Sequence, residues 1–164
     1  MDSAAWAAII GALGGTALGS FIAGLFSSTS SERQRRKEYL AVRKATYSTY
    51  AAALMAHYTA LRSLKTDASA LMRDASLASG RFNVVSALSA SVTQGLGAVM
   101  VEGPSQTARF AELATLALDD STSQLRRWIE SGASEEDPVD LDGVDGQIKE
   151  FMRSARRSLR HPPT

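Results

Sequence analysis

The spacing of apolar side chains divides this chain into one uniformly apolar stretch and four amphipathic ones. From Ala4 to Phe26 (AAWAAIIGALGGTALGSFIAGLF) no side chain is charged. A helix of that length reaches roughly 35 Å, enough to cross the hydrocarbon core of a bilayer. Thr16 and Ser20 are its only hydroxyls, and a helix returns both to its own carbonyls. The stretch predicts a transmembrane helix. Beyond it, apolar residues recur every three or four positions, the signature of helices that each bury one face.

A polar break, Ser27 to Ser31, follows the apolar stretch. Ser31 suits a helix cap with Glu32 in the first turn, so a bend is expected there. The first amphipathic segment runs from Glu32 to about Leu64. Leu40, Tyr47, Leu54 and Leu61 are spaced by seven, and Tyr50, His57, Tyr58 and Leu64 fill the intervening positions. That stripe fits a bundle or a coiled coil, with Arg43, Lys44, Arg62 and Lys65 off the stripe or at its edge. Thr66-Asp67 is expected to start a second helix reaching Val101, with Leu71, Ala75, Ala78, Phe82, Val85, Leu88, Val92, Leu96 and Val99 inward. Gly80, Gly95 and Gly97 each cost about 1 kcal/mol in a helix interior, which predicts a bend near Ser79-Gly80 or fraying near Gly95.

Gly103-Pro104 punctuates the chain before a third helix, Ser105 to Ser131. Its expected inward face is Phe110, Leu113, Ala117, Leu125, Trp128 and Ile129. An acidic loop, Ser134 to Pro138, leads to a last helix capped by Asp140, Asp142 or Asp145. There Val144, Ile148, Phe151, Met152, Ala155 and Leu159 form the stripe, and His161-Pro162-Pro163-Thr164 ends it. The fold class expected is all-α: an N-terminal transmembrane helix (residues 1–31 with the polar break), then an antiparallel helical bundle of about four helices (residues 32–164).

The apolar stretch has an internal texture. Ala7, Gly11, Gly15, Gly19 and Ala23 fall at four-residue intervals and form one smooth stripe, a glycine zipper. Small residues at that spacing let helices approach closely in lipid, so self-association into a homo-oligomer is expected through this face. A secretory signal, cleaved between Gly24 and Ser28, competes for the same stretch. It wants a positive n-region and a shorter apolar core, whereas Asp2 is the one charged side chain before the span. Arg33, Arg35, Arg36 and Lys37, followed by Arg43 and Lys44, lie just beyond it. The positive-inside rule then puts the N-terminus outside and the bundle in the cytoplasm, at the cell membrane. The same basic run suits anionic lipid headgroups; with no aromatic residues interleaved, nucleic acid is not an expected partner.

Charge changes the picture further. The net charge of +1 hides segregation: residues 27–65 carry eight basic and two acidic side chains, residues 102–146 three and eleven, and residues 147–164 five and one. Such alternation suits helices that attract one another, or a basic end turned to lipid with an acidic end turned away.

Candidate chemistry is sparse. The chain has no cysteine, which excludes disulfides, thiolate catalysis and cysteine-ligated metals. His57 lies in the seam between Tyr50 and Leu61, where a histidine satisfied by a neighbouring hydroxyl is the expected state rather than a catalytic base. Asp140-Leu141-Asp142-Gly143-Val144-Asp145 resembles a calcium loop, but its glycine register leaves Pro138 or Leu141 at the first ligand position. Neither a nucleophile elbow nor a phosphate loop occurs. The expectation is a protein without catalytic, metal or cofactor residues.

Arg36-Lys37-Glu38-Tyr39-Leu40 after a span, with Phe151-Met152-Arg153-Ser154-Ala155-Arg156-Arg157-Ser158-Leu159 near the end, resembles the small single-pass membrane proteins of high-GC Gram-positive bacteria. Arginine outnumbers lysine fourteen to four, in keeping with a GC-rich source. The resemblance implies an architecture and carries over no functional residues. The expected role is a membrane-anchored, non-enzymatic module that binds another cytoplasmic protein or itself. The alternative is a holin-like or toxic protein that permeabilises the membrane through its glycine stripe.

Overall fold

Each helix begins and ends where backbone chemistry allows it, and the computed structural model shows five of them among the residues it describes, 32–132 and 139–160. They are α1 (Glu32–Thr66), α2 (Ala68–Leu71), α3 (Ala75–Glu102), α4 (Ser105–Glu130) and α5 (Leu141–Arg160), with no strand among the described residues. The apolar stretch Ala4–Phe26, the polar break, the acidic loop and the tail after Arg160 lie outside the described residues. The contacts divide the chain into Met1–Lys37 and Glu38–Thr164, and the core lies in the second unit.

The expected helix from Asp67 to Val101 is broken. Asp67 makes no side-chain cap, and α2 is a single turn. The effective cap lies seven residues later. Asp74 is extended, and its carboxylate accepts from the backbone N–H of Ser76 and Leu77 and from the Ser76 hydroxyl, at 2.8–3.0 Å. Those bonds hold the Asp74 carboxyl below its usual range. From there α3 runs unbroken through all three glycines where a bend or fraying was expected. At the far end Asp140 caps α5, accepting from the Gly143 N–H at 2.9 Å.

On α1 the stripe is buried as its spacing implies: Tyr47, Tyr50, Leu54, His57, Leu61 and Leu64 are all inside. The α5 stripe is likewise inside, with Val144, Ile148, Phe151 and Ala155 buried. On α4 the expected face is rotated. Thr107, Ala111, Ala114, Thr115, Leu118, Ser121, Leu125 and Ile129 are buried, whereas Leu113 is 39% exposed. Phe110, Ala117 and Trp128 are partly buried and pack against the core from its edge. Small and hydroxyl residues face inward on α4 because the bulk and the polar tips arrive from α1.

Contacts between helices pair off in a consistent order. Tyr39 and Arg43 of α1 meet Glu102 at the end of α3, while Asp67 meets Arg81 near its start. Tyr50 meets Ala111 and Thr115, and His57 meets Thr122, two further turns along both α1 and α4. Tyr47 meets Ser158 of α5, and Lys65 meets Val139 just before it. Thr107 of α4 meets Ser154 of α5. The result is a helical bundle with one end marked by Arg43, Glu102, Thr107 and Ser158.

α3 differs from its neighbours in composition. From Phe82 to Val101 it carries no charged side chain, and by length and composition it is the one described helix able to cross a membrane. It sits in mid-chain rather than at the N-terminus. In the bundle it buries Phe82, Val85, Leu88, Val92 and Val99.

At Gly95 the backbone of α3 packs against Tyr50 of α1. A Cβ there would stand 2.9 Å from Tyr50 Cδ2 and 3.5 Å from the Tyr50 Cα, whereas one at Gly97 meets nothing within 4 Å. Alanine at either site gains about 1 kcal/mol of helix propensity, but at Gly95 it overpacks a buried ring, a cost of about 1–3 kcal/mol. Gly95→Ala is therefore expected to lower the melting temperature and Gly97→Ala to raise it, as measured by circular dichroism in detergent; equal shifts of the same sign would refute the close approach.

Candidate functional site

Several polar side chains enter the bundle along one seam, where Tyr47, Tyr50 and His57 of α1 meet partners on α4 or α5. Tyr50 lies fully buried and donates its hydroxyl to the Ala111 carbonyl at 2.7 Å, with the Thr115 hydroxyl at 2.7 Å. Thr115 is also 3.1 Å from the same carbonyl, so the three atoms close a small triangle. Burial removes water from the phenol and pushes its pKa up to about 12, against the Thr115 hydrogen bond, which favours the charged form. The ring stands edge-on to Phe151 of α5, at 4.8 Å between centroids.

One further stage along α1, His57 is also fully buried, with Nε2 3.1 Å from the Thr122 hydroxyl. Thr122 donates to the Leu118 carbonyl at 2.7 Å, so it accepts from Nε2–H and the tautomer is fixed. Nδ1 then carries a lone pair and has no partner. Protonation would place an unmatched N–H in the core. Burial accordingly lowers the His57 pKa, opposed by the negative charge of Asp119. Thr122 stands between the imidazole and solvent. It forms part of a groove of about 310 Å³ between α3 and α4, with Ser86, Ser89, Asp119, Ser123 and Arg126. Asp119 accepts from Ser89 there at 2.9 Å. The imidazole reaches none of this surface, and its geometry is that of a core histidine.

Arg43 was expected at the edge of the stripe and is instead 2% exposed. Its Nε donates to the Glu102 carbonyl at 2.8 Å, its Nη2 to the Tyr39 hydroxyl, and its guanidinium lies 4.4 Å from the Tyr39 ring centroid. A cation on the last carbonyl of α3 complements that helix's dipole. Nη1 is buried without a partner. Close by, the Tyr47 hydroxyl is 3.3 Å from Ser158 Oγ and would lie 3.1 Å from a Cβ at Gly103. Glycine is needed there for space, since its φ of −92° is ordinary.

A wider groove, about 640 Å³, runs between α1 and α5 past Met55, Tyr58, Arg62, Leu141, Asp142 and Asp145. Among the described residues no three His, Asp or Glu side chains converge as a metal-binding group.

Ala7, Gly11, Gly15, Gly19 and Ala23 lie outside the described residues. Arg33 is described in its backbone alone, as part of α1, and Arg35, Arg36 and Lys37 are exposed on the first turns of that helix. Sequence reasoning missed Arg43, Thr107, Thr115, Ser121, Ser154 and Ser158 as buried polar positions. The usable signal was spacing: Thr107, Ala111, Thr115, Leu118 and Thr122 recur at three and four. No protein-family model matches the chain, and no curated protein or solved structure does either.

A folded-state pKa below the ordinary 6.5 has a definite consequence for His57. The unfolded chain takes up the proton first, so this group favours folding above pH 6.5 and loses that contribution as the pH falls below it. In a His161→Gln background, unfolding free energy is expected to drop from about pH 7 to pH 5, and His57→Gln to flatten that drop. Equal slopes would contradict the buried, neutral imidazole.

Proposed function

We propose that this chain is a membrane-anchored, non-enzymatic helical module. The uncharged stretch Ala4–Phe26 holds it in the cell membrane with the N-terminus outside. An antiparallel up-and-down bundle presents a surface to another protein, or to a second copy, at the cytoplasmic face. The order of the contacts supports the antiparallel arrangement: α3 and α5 meet α1 in descending order, and α4 meets it in ascending order. Self-association through Gly11, Gly15 and Gly19 belongs to the same proposal.

One observation carries it. The unit Glu38–Thr164 holds Tyr47, Tyr50, His57, Thr107, Thr115 and Phe151 in its core, and the sequence before it contains an uncharged stretch long enough to span a bilayer, flanked on its C-terminal side by arginines. Side chains devoted to packing suit a scaffold whose work is holding a place or a partner.

A second reading has its own support in α3. A helix with no charge from Phe82 to Val101 gives the chain a further apolar segment, which suits a protein that opens and inserts to permeabilise a membrane. Expression with a membrane-impermeant dye separates the two. Continued growth without dye entry is the outcome for an anchored module, and dye entry that needs Ala4–Phe26 is the outcome for the alternative.

The anchor itself is tested by topology. The chain has no native cysteine, so Ser134→Cys gives one reporter. It is expected to fractionate with membranes through an alkaline wash, to resist an impermeant maleimide in intact cells and to react after lysis. Labelling in intact cells, or release by the wash, would overturn the reading.

A further inference from the structure

The bundle has two chemically different ends, a difference that no single segment's charge reveals. Tyr39, Arg43, Glu102, Thr107 and Ser158 lie at one level, so the neighbouring turns of all four long helices meet there. On α5 the last turns carry Arg156, Arg157 and Arg160, all exposed and turned from the core on one ridge opposite Phe151 and Ala155. None has an acidic partner among the described residues. Arg153, one turn earlier, is paired with Glu150. Arg109 of α4 and Lys44 of α1 are exposed at the same end. At the same end, on α1 and α3, apolar side chains are without cover: Val101 is 82% exposed, Met100 49% and Tyr39 42%. Basic side chains outnumber carboxylates at this end, where Glu38 and Glu102 are half-buried; at the opposite end Asp67 faces Arg81, and Asp142 and Asp145 line a groove with Arg62 and Lys65.

Unpaired arginines at the same end as exposed apolar side chains complement a surface that is negative outside and apolar beneath. Anionic headgroups over acyl chains are such a surface. A nucleic acid would use the charges but leave Val101 and Met100 without a purpose. Glu38, where this unit begins, lies at the same end, one residue before Tyr39, and the chain before it leads to the uncharged stretch. We propose that this end of the bundle rests on an anionic lipid surface, with Arg156, Arg157 and Arg160 on headgroup phosphates and Val101 and Met100 dipping below them. The inference builds on the membrane-anchor reading and adds a second, reversible contact that orients the bundle.

The experiment uses the full chain with Val101→Cys carrying an environment-sensitive dye, and Ser69→Cys on α2 as the reference site. Each is reconstituted into phosphatidylcholine vesicles with and without about a quarter phosphatidylglycerol. The Val101 dye is expected to shift to the blue, and to be quenched by headgroup-labelled lipid, when phosphatidylglycerol is present. Raised salt should reverse both effects, and the Ser69 dye should not respond. Each arginine at an anionic surface is worth about fivefold, so Arg156→Gln, Arg157→Gln and Arg160→Gln together should lower the docked-to-free ratio on the order of a hundredfold. The variant's helical melt checks that it is folded. If the chain floats with vesicles but the Val101 dye stays in water, the inference fails and the anchor stands. If the chain does not float, both fail. A triple variant that behaves as the parent, or a response to RNA in place of lipid, also overturns it.

Discussion

Tyr50 is the side chain on which the bundle converges. It has no exposure, and it touches each of the other three long helices: α3 at Gly95, α4 at Ala111 and Thr115, and α5 at Phe151. Each contact imposes a condition. The ring leaves no room for a Cβ on α3. The hydroxyl requires an acceptor, which the Ala111 carbonyl and the Thr115 hydroxyl supply. The ring edge requires a facing aromatic on α5. Burying the hydroxyl unmatched would cost about 1–3 kcal/mol, so the rotation of α4 that brings Thr115 inward, and leaves Leu113 at the surface, follows from what α1 carries. The same logic repeats at His57, which brings Thr122 inward in its turn.

This explains which parts of the fold were legible. The α1 and α5 stripes are made of large apolar residues, and periodicity alone finds them. The α4 face is legible only in part: Leu125 and Ile129 were found, but most of its other inward positions are alanine, serine and threonine, which a hydrophobic pattern passes over. Gly95 was read as a weak point of a helix when it is a contact, since a glycine's propensity cost is visible in the sequence and its neighbour is not. Asp67 and Asp74 were equally good caps by residue type. The choice went to Asp74, which Ser76 supports with both its N–H and its hydroxyl. Arg43 was hidden by its charge; only the end of α3 explains a guanidinium inside the bundle.

The candidate site was legible to a lesser degree. The basic run at Arg33–Lys37 follows from the sequence. The grouping of Arg156, Arg157 and Arg160 with Arg109, Lys44 and Val101 does not, because four separate helices bring them to one level. His57, the most reactive residue type in the seam, proves to be spent on packing: its ring reaches Thr122 and stops short of the groove that Thr122 borders.

Tyr50 ties the helices together as a buried, neutral phenol. Its pKa stands at about 12 against an ordinary 10.0. The group therefore contributes its full share to stability below pH 10, and that share is lost as the pH rises from 10 towards 12. The direct measurement is unfolding free energy across that range for the parent and for Tyr50→Phe, in the same detergent. A downward slope is expected in the parent and a much reduced one in Tyr50→Phe, whose stability at neutral pH is lower. Parallel slopes, with no loss at neutral pH, would contradict it.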